Sequence, residues 1–255
     1  MSTYTKNNLL VSIVITYYKK KNFLSKTLNS IKSQVYKNYE IIFVYDDPDL
    51  SDIDFVKKSL SIFKKKKLLV NLRNLGVAKS RNRAMKHCRG TYLAFIDSDD
   101  LWKKNKLSHQ LKIMEMYSSL FSFTSYDVID EKDKLLKKRE VNNDGNFSVL
   151  IKSNFIGLST VMIHRSLYKK IMFPKLQTQE DFALWLKISR DGHKLRHIKK
   201  SLSCWRKSGG SLSSSISRRL IDAFLLYYIH LNRNFVYSIY SVLVLSFYKI
   251  KKEIF

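Results

Sequence analysis

Apolar residues first gather at Val11-Ser-Ile-Val-Ile-Thr-Tyr17, a β-branched run that predicts a buried strand. From Asn22 to Gln34 the spacing changes, with Phe23, Leu24, Leu28 and Ile31 recurring at helical intervals. A second strand is expected over Glu40-Ile-Ile-Phe-Val-Tyr45, a helix over about 52–63 and a third strand over 68–72. The helix after Gly76 turns Val77, Ala84, Met85 and Cys88 to one side, and Gly90 is expected to end it as a C-cap. Residues 91–96 then form a fourth strand. This alternation predicts an α/β domain with a mostly parallel, Rossmann-like sheet flanked by helices.

Past residue 100 the pattern predicts a helix over 103–117 and a strand over 120–126. A charged excursion or hairpin follows over 131–146, then a strand over 159–163 and a short helix over 165–171. Phe182, Ala183, Trp185, Leu186 and Ile188 mark a helix that opens at Glu180-Asp181. Short strands are expected over 195–198 and 202–205, followed by a basic loop over 206–211 that suits a diphosphate or is simply a surface turn. From about Ser217 the composition shifts to two aromatic, apolar runs, 220–229 and 235–248, flanked by Arg218, Arg219, Arg233, Lys249, Lys251 and Lys252. Each falls short of the roughly 20 residues that span a bilayer. Two readings stay open: amphipathic helices at a membrane interface, or helices packed on the domain.

Two strands end in carboxylates. Tyr45 runs into Asp46-Asp47, and Ile96 runs into Asp97-Ser98-Asp99-Asp100. In an open parallel sheet, ligands bind beyond the carboxyl ends of the strands. Asp97 and Asp99 can point into one crevice there, where two hard oxygen donors suit Mg²⁺ or Mn²⁺. The competing reading is a helix cap, with Asp99 or Asp100 capping a helix that begins near Trp102. Glu180 and Asp181 face the same choice between macrodipole partners at a helix start and a general base. Lys79, Arg81 and Arg83 follow Gly76 and either meet phosphates or line a solvated face. No GxGxxG or GxxxxGK[ST] occurs, which argues against a dinucleotide dehydrogenase and a P-loop NTPase. The six histidines show no zinc spacing.

A length of 255 residues, 45% hydrophobic, allows one domain plus an appendage. Two distant cysteines, with no CxxC pair and no leading signal peptide, fit a reduced cytoplasmic chain. The formal charge of +26 invites a nucleic-acid reading. Lysines are spread over nearly every segment, however, and no nucleic-acid-binding motif accompanies them, so no nucleic-acid partner is expected. An anionic membrane surface is the other partner such charge attracts.

Seven segments in order resemble inverting glycosyltransferases of family 2, which have the GT-A fold. They are 11–18, Asp46-Asp47, Asn74-Leu-Gly76 with Ser80-Arg-Asn82, Phe95-Ile-Asp-Ser-Asp-Asp-Leu-Trp102, Ser159-Thr-Val-Met-Ile-His-Arg165, Glu180-Asp-Phe-Ala-Leu-Trp185, and Trp205-Arg206 before Gly210-Ser-Leu-Ser213. The resemblance implies a catalytic domain over 1–215, with a donor-binding half of about 1–100 and an acceptor half of about 101–215. A helical extension would cover 216–255. It implies that Asp47 reads the nucleotide base, with Thr16 to Tyr18 lining its pocket. Asn74, Arg81 and Ser98 fall in the same nucleotide-sugar site.

Asp97 would lie near the ribose and metal, and Asp99 would bind the Mn²⁺ or Mg²⁺ that bridges the diphosphate. Asp181 would activate an acceptor hydroxyl, with Glu180 beside it. The donor would be a nucleoside-diphosphate sugar, UDP-linked. The acceptor would be a glycan or lipid-linked oligosaccharide at the inner face of the cell membrane, in surface-polysaccharide assembly such as O-antigen, capsule or lipooligosaccharide. The chain departs from the family's Pro-Thr-Tyr-Asn at Thr16-Tyr17-Tyr18-Lys19, from its Gly-Ser at Pro48-Asp49, and from its loop histidine at Ser208. The first two changes bear on the base and ribose pocket.

The rivals separate by experiment and by sequence. A nucleic-acid-binding module would tolerate loss of Asp99 and Asp181. A sugar-nucleotide-making transferase would need a glycine-rich loop after the first strand, where 16–21 has no glycine. An inactive relative acting as a binding partner would not need both acidic spots.

Overall fold

The computed structural model describes residues 9–208 and 215–254, with side chains through residue 250. The sheet is built outward from β1 (Val11–Tyr17), with β2 (Tyr39–Tyr45) on one side and β4 (Tyr92–Asp97) on the other, both parallel to it. β3 (Lys66–Val70) adds in parallel beyond β2. Residues alternate between the two faces of these strands. Val14, Ile42, Val44, Leu93 and Phe95 join one buried cluster, and Ile13, Ile15, Ile41, Phe43, Ala94 and Ile96 join the other. Each fully buried aliphatic or Phe side chain contributes about 1.5–3 kcal/mol. Helices α1 (Lys21–Lys32), α2 (Ile53–Leu60) and α3 (Val77–His87) connect the strands and cover these faces.

Register decides where the chemistry sits. Thr16 lies opposite Val44 on one side and Asp97 on the other, and Tyr17 lies opposite Tyr45. The three central strands therefore end level, and Asp46, Asp47 and Asp97 share one rim of the sheet.

Beyond β4 the sheet becomes mixed. β8 (Met162–His164) runs antiparallel to β4, β6 (Phe121–Ile129) antiparallel to β8, and β9 (Arg196–Arg206) parallel to β6. β7 (Leu135–Arg139) pairs antiparallel with β6, so the charged stretch after residue 130 is a hairpin.

Four local expectations change. Leu101–Trp102 is a short strand, β5, paired with Cys204 and Ser203 of β9. The next helix, α4 (Lys106–Met116), starts later than expected, after Asn105, so neither Asp99 nor Asp100 caps it. The expected strands at 195–198 and 202–205 are one strand, bent where its register against β6 shifts near Ser125. Ser159 and Thr160 lie in a 3-10 turn (Leu158–Thr160) before β8.

Gly90 also departs from expectation. It does not take a left-handed cap conformation, and α3 ends at His87. An added Cβ at Gly90 would stand 2.6 Å from both Ser12 N and Tyr92 O, so the residue is needed for close backbone approach.

A short helix, α5 (Phe147–Leu150), precedes β8, and after it come α6 (Arg165–Tyr168) and α7 (Glu180–Arg190), the last buried along most of its length. The tail forms α8 (Ile216–Leu225), a π-helical turn (Leu226–His230) and α9 (Phe235–Ile254). Leu226, Tyr227 and Leu231 enter the same core as Trp185, and Val242 and Leu245 pack against it. The opposite face is bare: Phe235, Val236, Tyr240, Leu243 and Phe247 are each more than half exposed. The two readings of the tail thus fall on different faces of the same helices. Among the described residues no helix is long and apolar enough to cross a membrane.

Candidate active site

The rim of the sheet is wired by side chains. Asp46 Oδ1 accepts from Asn71 Nδ2 (2.6 Å) and from the backbone N–H of Leu75 (2.8 Å). Asn71 also donates to Ser80 Oγ (2.8 Å). This network pins the loop whose Asn74 side chain accepts from Gly76 N (2.9 Å). Asp46 is thus a loop anchor. Asp47 is buried beside it, and its carboxylate accepts from Asp49 N (3.2 Å). Thr16 is half-buried at the end of β1, and Tyr18 is exposed just beyond it.

Arg81, on α3, joins the two acidic spots. The residue is 4% exposed, and its guanidinium donates to Asp97 Oδ1 (2.7 Å) and to Glu180 Oε1. It also lies 5.4 Å from the centre of the Phe173 ring. One buried cation thereby holds a carboxylate from the end of β4 and one from the head of α7, 99 positions apart in sequence from Arg81 to Glu180. Burial nevertheless pushes the Glu180 carboxyl above its usual value, with Arg81 pulling the other way.

Asp181 is next to this pair. Burial first, then the charge of Glu180, pushes its carboxyl up to about 7. Its Oδ1 accepts from Phe182 N (2.6 Å). A carboxyl tuned near neutrality, in a site lined by other acids, has the properties of a general base.

Asp99 is reached from two loops. Its Oδ2 accepts from Lys20 Nζ (2.9 Å) and from Ser208 Oγ (3.2 Å), and Lys20 and Ser208 bond each other (2.9 Å). Among the described residues, Asp99 Oδ1 and Asp97 Oδ2 accept no hydrogen bond, which leaves one oxygen on each carboxylate. Hard carboxylate oxygens together with diphosphate oxygens are the donor set that Mg²⁺ or Mn²⁺ takes, so these residues fit a divalent ion. No cluster of three or more acidic, histidine or cysteine side chains forms a metal cage among the described residues.

Asp100, read from sequence as a candidate helix cap, and Arg206, read as part of a basic loop, have structural parts that the sequence did not indicate. Asp100 is buried, and its carboxylate accepts from Ser159 Oγ (2.6 Å) and from Arg206 N (2.9 Å). Burial, with Asp99 and Asp97 adding to it, raises its pKa well above the usual range. Arg206 donates through Nε to Asp99 O (2.8 Å) and pairs with Asp133 through its other end (2.5 Å). Ser98 is buried, and its carbonyl accepts from Thr27 Oγ1 (3.0 Å), as does that of Asp100 (2.8 Å). The acidic turn is therefore locked from α1, β9 and the 158–160 turn at once. Tyr126 of β6 lies close enough for its phenol to feel both Asp100 and Asp181. Arg206 carried a signal in the Trp205-Arg206 pair, whereas Tyr126 carried none. The basic loop of 206–211 is described only through Ser208, and Gly210 to Ser213 lies outside the described residues.

Comparison with known proteins bears on the family and the fold. The family model for glycosyl transferase family 2 matches residues 12–176. The chain is 31% identical over 207 residues to a putative teichuronic acid biosynthesis glycosyltransferase, TuaG, of Bacillus subtilis, covering 81% of this chain and 82% of that one. It is 36% identical over 220 residues to an Escherichia coli UDP-Glc:alpha-D-GlcNAc-diphosphoundecaprenol beta-1,3-glucosyltransferase, WfaP, covering 83% of each. Its fold resembles that of S. aureus TarS 1-349 in complex with UDP-GlcNAc, with a TM-score of 0.70, 18% identity, and coverage of 90% of this chain and 69% of that one. It also resembles a Pyrobaculum calidifontis mannosyltransferase in complex with GDP-Man and Mn2+, with a TM-score of 0.67, 15% identity, and coverage of 91% and 69%. With its α/β GT-A fold and a family match over most of its length, the chain belongs to glycosyl transferase family 2.

Proposed function

We propose that this glycosyltransferase moves a sugar from a UDP-linked donor to a hydroxyl of a glycan or lipid-linked acceptor, with inversion, in cell-surface polysaccharide synthesis. The observation that carries the reading is the crevice where the carboxyl ends of β1, β2 and β4 meet the head of α7. Carboxylates at the strand ends and a carboxyl raised to about 7 stand there around one arginine. The relatives named for teichuronic acid synthesis and for a diphosphoundecaprenol acceptor support the pathway and the acceptor class.

The residue roles are those the family resemblance implies, and this placement is compatible with them. Asp47 reads the base, with Thr16 and Tyr18 beside it and Asn74 on the neighbouring loop. Asp97 and Ser98 line the ribose and diphosphate side, and Arg81 sets the position of Asp97. Asp99 and Asp97 would hold Mn²⁺ or Mg²⁺, which when bound neutralises charge on the departing nucleoside diphosphate. Asp181 takes the proton from the acceptor hydroxyl as that oxygen attacks the anomeric carbon, and the bond to UDP breaks on the opposite side. Glu180, held by Arg81, keeps a negative charge beside Asp181 and so sustains its basicity. Residues 1–215 form the catalytic unit in this reading. The extension of 216–255 rests its bare apolar face, with its basic flanks, on the inner face of the cell membrane.

The test is a panel of nucleoside-diphosphate sugars incubated with the full chain, with release of nucleoside diphosphate measured with and without chelator. Release from one donor that disappears with chelator and in Asp99→Ala is the expected result. Release that survives Asp99→Ala would overturn the metal assignment.

A further inference from the structure

Helix α7 has no side-chain cap at its head. Gln179 occupies the cap position in the left-handed region, with φ of 60°. An L residue held there costs on the order of 1 kcal/mol, so the surrounding structure must hold the turn. The holding groups come from α8, in the tail. Thr178 donates both its backbone N–H (2.6 Å) and its hydroxyl (2.8 Å) to Asp222 Oδ2. The Gln179 side-chain amide donates to Arg219 O (2.9 Å), and Arg218 donates to Gln177 Oε1. Among the described residues, the side chains of 177–179 bond to α8 alone. Thr178 and Asp222 are both buried, so water cannot replace either partner. Helix α8 is in turn anchored by Ala223, which is buried, and by the turn that follows it. There Leu226 and Tyr227 enter the core and the Tyr227 hydroxyl donates to Ile151 O (2.7 Å).

We infer that Asp222 is a positioning residue for sugar transfer. It fixes the left-handed turn at Gln179, and with it the place of Glu180 and Asp181 against Arg81 and Asp97. This rests on the reading of Asp181 as the base. Misplacing a reacting group by about 1 Å costs on the order of 10²-fold in rate. The donor-side residues stand on α3, at the ends of β1 and β4 and on the loops after β1, β2, β3 and β4, to which the Thr178–Asp222 pair makes no hydrogen bond. Arg81 holds Asp97 through a different guanidinium nitrogen from the one that reaches Glu180. Loss of Asp222 therefore acts on turnover and leaves donor binding alone.

The experiment compares Asp222→Ala, Asp222→Asn and Thr178→Val in the full chain. Hydrogen–deuterium exchange needs no substrate: residues 176–183 should exchange at least ten-fold faster in Asp222→Ala, with β1, β2 and β4 unchanged. On the donor found by the panel, kcat should fall ten- to hundred-fold in Asp222→Ala. UDP affinity in the presence of Mn²⁺ should stay within two-fold. Asp222→Asn, whose side-chain carbonyl can still accept from Thr178, should keep at least a third of the native kcat. If Asp222→Ala does not fold, Thr178→Val removes only the hydroxyl bond, and a three-fold or larger fall in kcat at constant UDP affinity is its expected result.

Native exchange rates at 176–183 in Asp222→Ala overturn the inference. So does a kcat within two-fold of native, or a loss of UDP affinity in step with kcat. If the native chain releases nucleoside diphosphate from no donor, the proposed function is what fails, and the exchange comparison still decides whether Asp222 holds the turn.

Discussion

In the proposed reaction Asp181 accepts a proton only in its ionised form, and its carboxyl is held at about 7. Turnover should therefore rise with pH through about 7 and fall away below it, and a kcat–pH profile reads this limb directly. Asp181→Asn should lower kcat by about 10²–10⁴-fold and remove the limb. The same shift has a stability consequence of opposite sense. Because the folded chain holds this proton more tightly than the unfolded chain, stability falls as pH rises from about 4 to about 7. Denaturant unfolding at pH 5 and 7.5 should show a smaller difference in Asp181→Asn than in the native chain. Lys19 is a second residue with a backbone consequence. It sits at φ of 51°, where the common family pattern has asparagine, a residue that tolerates this region. Lys19→Asn should stabilise the chain by up to about 1 kcal/mol, read from denaturant midpoints.

At the scale of elements, α3, β4 and α7 are held together by one guanidinium. Arg81→Met would leave the buried Glu180 carboxylate without its cation, a loss of about 3–5 kcal/mol for a broken buried pair. The expected outcome is a lowered unfolding midpoint together with loss of turnover. The link between β1 and β4 depends on a missing side chain. Gly90→Ala would press a Cβ against backbone atoms of Ser12 and Tyr92 that cannot rotate away. Its expected cost is about 3 kcal/mol, measured by the same unfolding curves. Both positions were visible in the sequence, but with other roles. Arg81 read as a phosphate ligand or a solvated cation because its spacing shows only that it follows a turn. Gly90 read as a cap because a glycine after a helix usually is one.

For the whole molecule, the tail presents two different faces. Its inner face completes the core around Trp185 and Tyr227, and its outer face presents a row of exposed apolar residues between basic flanks. Deleting the tail would strip the core as well as the surface, so the membrane proposal is tested in the full chain. The native chain should float with anionic vesicles in a salt-sensitive manner. A variant with Phe235, Val236, Leu243 and Phe247 all changed to serine should stay behind while keeping its unfolding midpoint. Equal flotation of the two would overturn membrane docking by this face.

The alternation of apolar runs and helical spacing was enough to determine β1 to β4, the helices between them and the acidic ends of β2 and β4. These are local patterns whose period survives in any tertiary context. The family resemblance was also legible, because its motifs are short and lie in order. Only the folded chain decided that the three rim strands end level, since register depends on pairing between distant segments. Only the folded chain joined Asp97 to Glu180 through Arg81, fused two expected strands into β9, and set Asp222 beneath the turn that carries Asp181. Each of these rests on contacts between segments well separated in sequence, and a side chain's own neighbours carry no trace of a partner that distant.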